Sequence, residues 1–279
     1  MARKVFLSIL GKGYYKPTKY YFDGEKSNAI ETNFIQEASL RHYPQDNFDK
    51  IYIFLTKDAR TFNWENPAWR KVFQNSKFNS KPEYEGLSKK LEDFKNIETI
   101  DIDDGNNESE IWSIFETIFK ELNEGDQLYF DITHGFRTLP MLLMVLINYS
   151  KFLKNIEVEK ITYGNWEARD EKNNFAPVID VTSFSKIQDW TNAASEFING
   201  GSAEQFVKLS KQNIAPVMRE TKGQDLFAKN LNFITNELPG FILNIQTNRG
   251  NEIVSNKKGK KINDAISKIE SDTFTPITP

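Results

Sequence analysis

The chain contains no cysteine. This excludes disulfides, thiolate metal sites and cysteine nucleophiles, and it accords with a cytoplasmic setting. Histidine is almost as scarce. Only His42 and His134 occur, so a metal site built on several histidines cannot form within the chain. Neither a metal nor a cofactor is expected. No charge sign dominates: 36 Lys and Arg stand against 39 Asp and Glu, a net charge of −3, which excludes a broadly basic nucleic-acid coat. Long apolar runs are missing as well. The opening MARKVFLSIL and the stretch from Met141 to Ile147 are both too short to span a bilayer. No signal-peptide pattern is present, and no membrane association is expected. The Walker pattern, the dinucleotide fingerprint and the serine nucleophile elbow are also lacking.

What is present suits an ordinary folded α/β protein. The 279 residues, 39% of them hydrophobic and 22 of them Phe, can fill one large domain and a smaller appendage. Apolar runs at Val5–Leu10, Ile51–Leu55, Ile97–Ile102, Leu128–Ile132 and Val158–Tyr163 read as strands. Helical patterns at Ala29–His42, Trp64–Phe73, Tyr84–Phe94, Ile111–Leu122 and Thr138–Leu153 alternate with them. Residues 11–26 read as a polar loop, and Phe175–Val181 as an edge strand because Pro177 cannot donate to a ladder. The alternation predicts a Rossmann-like, mainly parallel sheet over residues 1–182. Residues 183–279 read as all helical, with breaks at Gly200–Gly201 and Pro239–Gly240 and a linker-like end, Thr273–Pro279. Such an end suits a fragment of a longer protein, cut before a further domain, or a natural form that lacks one.

Ligands of such sheets bind at the carboxyl ends of the strands, which directs attention to four loops. The most informative is Asp131-Ile132-Thr133-His134-Gly135-Phe136-Arg137-Thr138-Leu139-Pro140, which leaves a strand and opens a helix. Backbone amides there favour an anion, Gly135 allows close approach, and Arg137 offers a planar cation suited to phosphate. The alternative is a helix cap, with His134 satisfying a local carbonyl. The first loop, Gly11-Lys12-Gly13-Tyr14-Tyr15-Lys16, would suit a nucleotide, with amides and Lys12 for phosphate and Tyr14 or Tyr15 for a base. A surface loop with hydrophobic anchors competes with that reading. Thr56-Lys57 and Tyr163-Gly164-Asn165-Trp166 lie at two further strand ends, with Trp166 read as a core anchor. Asp101, Asp103 and Asp104 read as a solvated strand end.

These residues resemble the CARF-domain proteins of type III CRISPR systems, in the branch with a D-[IV]-T-H-G-[FL]-R-x-[LM]-P loop. That loop stands whole at Asp131–Pro140. Supporting matches are Phe6–Gly11, Asn33–Ala38, Phe54–Thr56 with Ala59 and Trp64, Tyr163-Gly164, and Asp189–Ala193. The resemblance implies a homodimer that binds one cyclic oligoadenylate ring, taken as cyclic tetra-adenylate, across its two-fold axis. Ligand contacts would come from Gly11, Lys12, Gly13, Tyr14, Thr56, Thr133, His134, Gly135, Phe136, Arg137, Tyr163 and Gly164. The signal would pass to an effector domain of the same longer chain in antiviral defence. In many relatives the effector is a HEPN ribonuclease, which needs an Arg and a His with four to six residues between them. The helical part here has no histidine.

Two further readings stay open. In a metal-independent ring nuclease, the ligand's own 2′-hydroxyl would attack the neighbouring phosphate. His134 and Arg137 would be catalytic, with His134 near its ordinary pKa of about 6.5. In a ligand-controlled DNA-binding regulator, Asn256–Lys261 would touch phosphates, against which the net negative charge weighs.

Overall fold

The computed structural model describes residues 2–43, 48–65, 85–134 and 139–271. The chain divides into two units, Met1–Ser185 and Lys186–Pro279. The first is built on one eight-stranded sheet. Its strands are β1 (Lys4–Leu10), β2 (Thr18–Phe22), β3 (Glu25–Thr32), β4 (Lys50–Leu55), β5 (Ile97–Asp101), β6 (Gln127–Asp131), β7 (Glu157–Gly164) and β8 (Phe175–Asp180). Their order is β3-β2-β8-β7-β6-β1-β4-β5. From β7 to β5 every pairing is parallel, as expected from the alternation of strands and helices. The chain winds outward from β1 through β4 to β5, then returns to place β6 on the other side of β1. That reversal creates a switch point at the carboxyl ends of β1 and β6.

The alternation along β1 shows how the sequence builds two cores. Val5, Leu7 and Ile9 face one side of the sheet, where α2 (Glu108–Glu121) brings Ile114, Phe115 and Ile118, and α3 (Leu139–Lys154) brings Leu143, Leu146 and Ile147. Phe6 and Leu10 face the other side, with Leu40 of α1 (Ile35–His42), the preceding Phe34, and Leu87, Leu91 and Phe94. Each fully buried side chain of this size contributes roughly 1.5–3 kcal/mol. Ser8, equally buried, interrupts the apolar row on the side of Phe6 and Leu10.

Four readings of secondary structure in the first unit are corrected. Residues 11–26 are not one loop, and Ala29 does not start a helix. β2 and β3 form an antiparallel hairpin there, and α1 begins only at Ile35. The hairpin turns at Asp23-Gly24, both with positive φ (52° and 77°), the conformation that Asp-Gly favours between twisted strands. The strand carrying Pro177 is not at the edge. β2 pairs parallel to it, so β8 lies between β2 and β7. The pattern over Tyr84–Phe94 reduces to a helical turn at Leu87–Lys90 within the described residues, and the one over Trp64–Phe73 lies mostly outside them.

The second unit carries α4 (Thr182–Gly200), whose first residues belong to the first unit, then α5 (Glu204–Glu220), α6 (Leu226–Gln246), α7 (Gly250–Asn256) and α8 (Lys258–Ser271). The expected break at Pro239–Gly240 does not occur, and α6 runs through it. Interior proline costs a helix about 3 kcal/mol. Packing on both sides of it offsets that cost: Ile234 and Phe241 lie against Ile262, Ala265 and Ile269 of α8. No described helix is long and apolar enough to cross a membrane.

Candidate functional site

A cleft of about 490 Å3 opens at the carboxyl ends of β1, β4, β5 and β6. It gathers Gly11, Lys12, Gly13, Thr56, Thr133 and His134 from the residues read as ligand contacts. Tyr15, Asp58, Asp104 and Asn106 join them. Tyr14 is not in the cleft lining; like Tyr15 it packs against the core on the Phe6 side of the sheet. Tyr163 is not in the lining either. Gly164 stands directly behind Thr133, where an added Cβ would lie 3.2 Å from Thr133 Oγ1 and 3.0 Å from Ile35. Gly135, Phe136 and Arg137 lie outside the described residues. His42 stacks on Phe22 at 3.9 Å and takes no part.

The turn that presents Thr133 and His134 is braced by Asp131, which is fully buried. Its Oδ1 accepts from the Thr133 backbone N–H (3.1 Å) and hydroxyl (2.5 Å), and its Oδ2 accepts from Ser8 (2.7 Å). Thr133 Oγ1 in turn accepts from Gly164 N–H at 2.7 Å, tying β6 to β7. Gln36 donates to Ser8 Oγ and to Ile9 O, both at 3.1 Å. The polar residue inside β1 therefore serves the loop at the end of β6. Asp180-Val181-Thr182 repeats the same turn at the end of β8, with Thr182 accepting from Ile161 N–H. The electrostatics of the two aspartates differ. Asp180 is pushed up by partial burial, but hydrogen bonds from Lys160 and Thr182 outweigh this and hold it below the usual range. Asp131 has no cation partner among these contacts, and burial raises its pKa against the pull of Thr133 and Ser8.

His134 stacks on Tyr15 with ring centroids 4.3 Å apart. Its Nε2 is buried and meets no hydrogen-bond partner among the described residues. Burial lowers its pKa to about 4, so at neutral pH it is an uncharged imidazole rather than a group poised near 6.5. Tyr15 is pushed up by burial. The stacked pair presents a flat, uncharged wall of the kind on which a base can lie.

Other parts of the lining are charged. Lys12 Nζ lies 2.8 Å from Asp58, both largely exposed, and the contact raises the Lys12 pKa. Asp104 lines the cleft beside them. Asp101 instead turns to Arg60 at 2.8 Å. Thr56 caps the turn after β4, its Oγ1 accepting from Ala59 N–H at 3.2 Å. Trp166 is not a core anchor; it is 42% exposed, with Arg169 stacked over its ring at 3.9 Å.

The model of the family described as "CRISPR system endoribonuclease Csx1, CARF domain" matches residues 5–167, more than half of the chain. The chain belongs to this family. The matched region holds every residue of the cleft. The chain is also similar to "CRISPR-associated protein MJ1674" of Methanocaldococcus jannaschii, with 27% identity over 248 residues. That match covers 74% of the chain but 38% of the relative, so the chain spans well under half of the relative's length. The family assignment supports a sensor role related to type III CRISPR systems.

Proposed function

We propose that the chain binds a cyclic oligoadenylate, cyclic tetra-adenylate first, in the cleft at the ends of β1, β4 and β6, and relays binding to an effector domain in antiviral defence. The observation that carries this reading is the pairing, at a sheet switch point, of a flat uncharged wall (Tyr15 and His134) with a glycine-lysine loop (Gly11–Gly13). A phosphate-linked ring of bases needs both surfaces. Arg137 is the proposed phosphate cation. A thermal-shift panel of rings of three to six adenylates tests the reading. One ring size should raise Tm, and Arg137→Ala should weaken its binding about 10- to 100-fold, the worth of one charge-assisted contact. No shift with any ring would overturn it.

The ring is proposed to lie on the two-fold axis of a homodimer, where each loop is offered twice. α3 supports this. Between Leu139 and Ser150 it carries no charged residue, and Met141, Val145, Tyr149 and Phe152 are exposed along it, with Phe152 at 84%. Trp112 of α2, exposed as well, meets Phe115 edge-on, and Phe115 packs against Tyr149. A helix apolar on its outer side as well as its inner one is expected to be covered. Val145→Asp should leave the fold intact and convert a dimer to a monomer in sedimentation at micromolar concentration. A variant that sediments like a dimeric parent would remove α3 from the interface. A cytoplasmic setting follows from the same reading.

A further inference from the structure

The Gly11–Gly13 loop is held from beneath by a residue outside the cleft. Asn63, fully buried, donates through Nδ2 to Gly11 O at 2.6 Å and to Gly13 O at 2.8 Å. It sits on a π-helical turn, Arg60–Trp64, a geometry often found at functional sites. That turn is pinned at both ends. Thr56 caps the segment leading into it, and Ser88 donates to Trp64 O at 2.7 Å. Gly86 presses against the same carbonyl so closely that an added Cβ would lie 2.3 Å from it. Asn63 therefore presents its amide from a fixed platform.

The consequence follows from peptide geometry. In a trans peptide the C=O and the following N–H point in opposite directions, and the described chain contains no cis bond. Drawing the Gly11 and Gly13 carbonyls onto buried Asn63 turns the N–H groups of Lys12 and Tyr14 away from the interior. Two partial negative charges are thereby removed from the loop's outer surface and two partial positive charges are put in their place. Close packing supports one loop shape, since a Cβ at Gly11 would lie 2.5 Å from Tyr15 Oη.

We propose that Asn63 is a positioning residue for an anionic ligand. Its bifurcated clamp sets the polarity of the 11–14 backbone, so that amides rather than carbonyls face the phosphates. The proposal rests on the cyclic oligoadenylate reading for its ligand but not for its geometry.

Asn63→Ala, Asn63→Ser and Asn63→Asp should be compared with the parent by calorimetric titration of cyclic tetra-adenylate and by amide hydrogen exchange of residues 11–15. Alanine removes both donors and should weaken binding about 10-fold. Serine restores one donor and should fall between alanine and the parent. Aspartate is isosteric but sets a carboxylate against two carbonyls, and should weaken binding about 100-fold at neutral pH. Protonation returns a donor to it, so its deficit relative to the parent should shrink about 10-fold by about pH 5. Lys12, Asp58, Asp104 and His134 are common to both proteins and cancel in that ratio. Losses that merely follow Tm, with no recovery in acid, would overturn the proposal and leave Asn63 a packing residue. Should the parent bind no ring, the ligand reading falls while exchange still tests the clamp. Faster exchange at 11–15 in ligand-free Asn63→Ala supports it, and unchanged exchange overturns it.

Discussion

Asp131→Ala is expected to destabilise the α/β unit by about 3 kcal/mol or more in urea unfolding, with Asp131→Asn costing about 1 kcal/mol. The reasoning starts from three donors converging on one buried carboxylate: Ser8 O–H, Thr133 O–H and Thr133 N–H. Alanine leaves them in a dry site, and each orphaned buried donor costs roughly 1–3 kcal/mol. Asparagine keeps one acceptor for Thr133 and turns a donor toward Ser8 Oγ. The Gln36 amide can adjust, because its Oε1 is buried and meets no partner among the described residues. The pH dependence has a definite direction. Burial raises the Asp131 pKa above its unfolded value, so the folded state holds this proton more tightly than the unfolded chain does. Stability lost to the buried charge at neutral pH should be regained as pH falls through the folded pKa. Asp131→Asn has no such charge. Its cost relative to the parent should therefore grow on acidification, and a cost independent of pH would refute the assignment. The loop suffers too: ligand affinity should fall in Asp131→Ala, because the turn that carries Thr133 and His134 loses its brace.

The features that were legible in the sequence, and those that were not, separate along physical lines. The parallel core was legible because strands buried on both faces are continuous apolar runs, and Val5–Leu10 and Ile51–Leu55 have no competing pattern. The hairpin was missed because its signal is local turn chemistry, Asp23-Gly24, set between strands whose outer residues are mostly polar. β3 is an edge strand with one open side, so Glu25-Lys26-Ser27-Asn28 has little apolar content to report. Once β2 occupies the sheet, β8 is internal, and Pro177 is tolerated at a place where proline alone argues for an edge. The continuity of α6 through Pro239 is tertiary, a matter of what packs on each side.

At the site, loop positions were readable from motif and topology, whereas partners separated by long stretches of chain were not. Nothing local says that Ser8 supports Asp131, 123 residues away, or that Asn63 holds Gly11 and Gly13. Two weak signals existed: a serine inside an otherwise apolar central strand, and a buried asparagine next to Trp64. The choice between Tyr14 and Tyr15 depends on which ring turns toward His134, and neighbouring residues of a loop give no period from which to read that.

His134→Asn should separate sensing from cleavage and reveal the burial of the imidazole at the same time. The ring is neutral at pH 7 because its surroundings lower its pKa to about 4, against about 6.5 in an unfolded chain. Above pH 6.5 both states hold it neutral, and its contribution to stability is complete. As pH falls from about 6.5 to about 4 the unfolded chain takes up a proton that the folded site refuses, which costs up to about 3 kcal/mol. The stability of the parent minus that of His134→Asn should therefore decline across this window and level off below it; the Asp131 contribution is common to both and cancels. A flat difference would mean that the imidazole is solvated and protonates freely. Catalysis follows the same proton. If the chain cuts its ligand, His134, which lines the cleft and is neutral at pH 7, is the candidate to accept the 2′-hydroxyl proton. Asparagine cannot, so the single-turnover rate should drop roughly 100-fold while ring affinity stays nearly unchanged. The parent's rate should rise with pH through about 4 and then flatten, because the active form is the neutral one. Cleavage that survives in His134→Asn would take His134 out of the chemistry and leave in-line positioning of the ribose hydroxyl as its source, whereas a rising limb centred near 6.5 would mean that the imidazole is solvated. Tight binding with no cleavage by the parent would leave the chain a sensor alone.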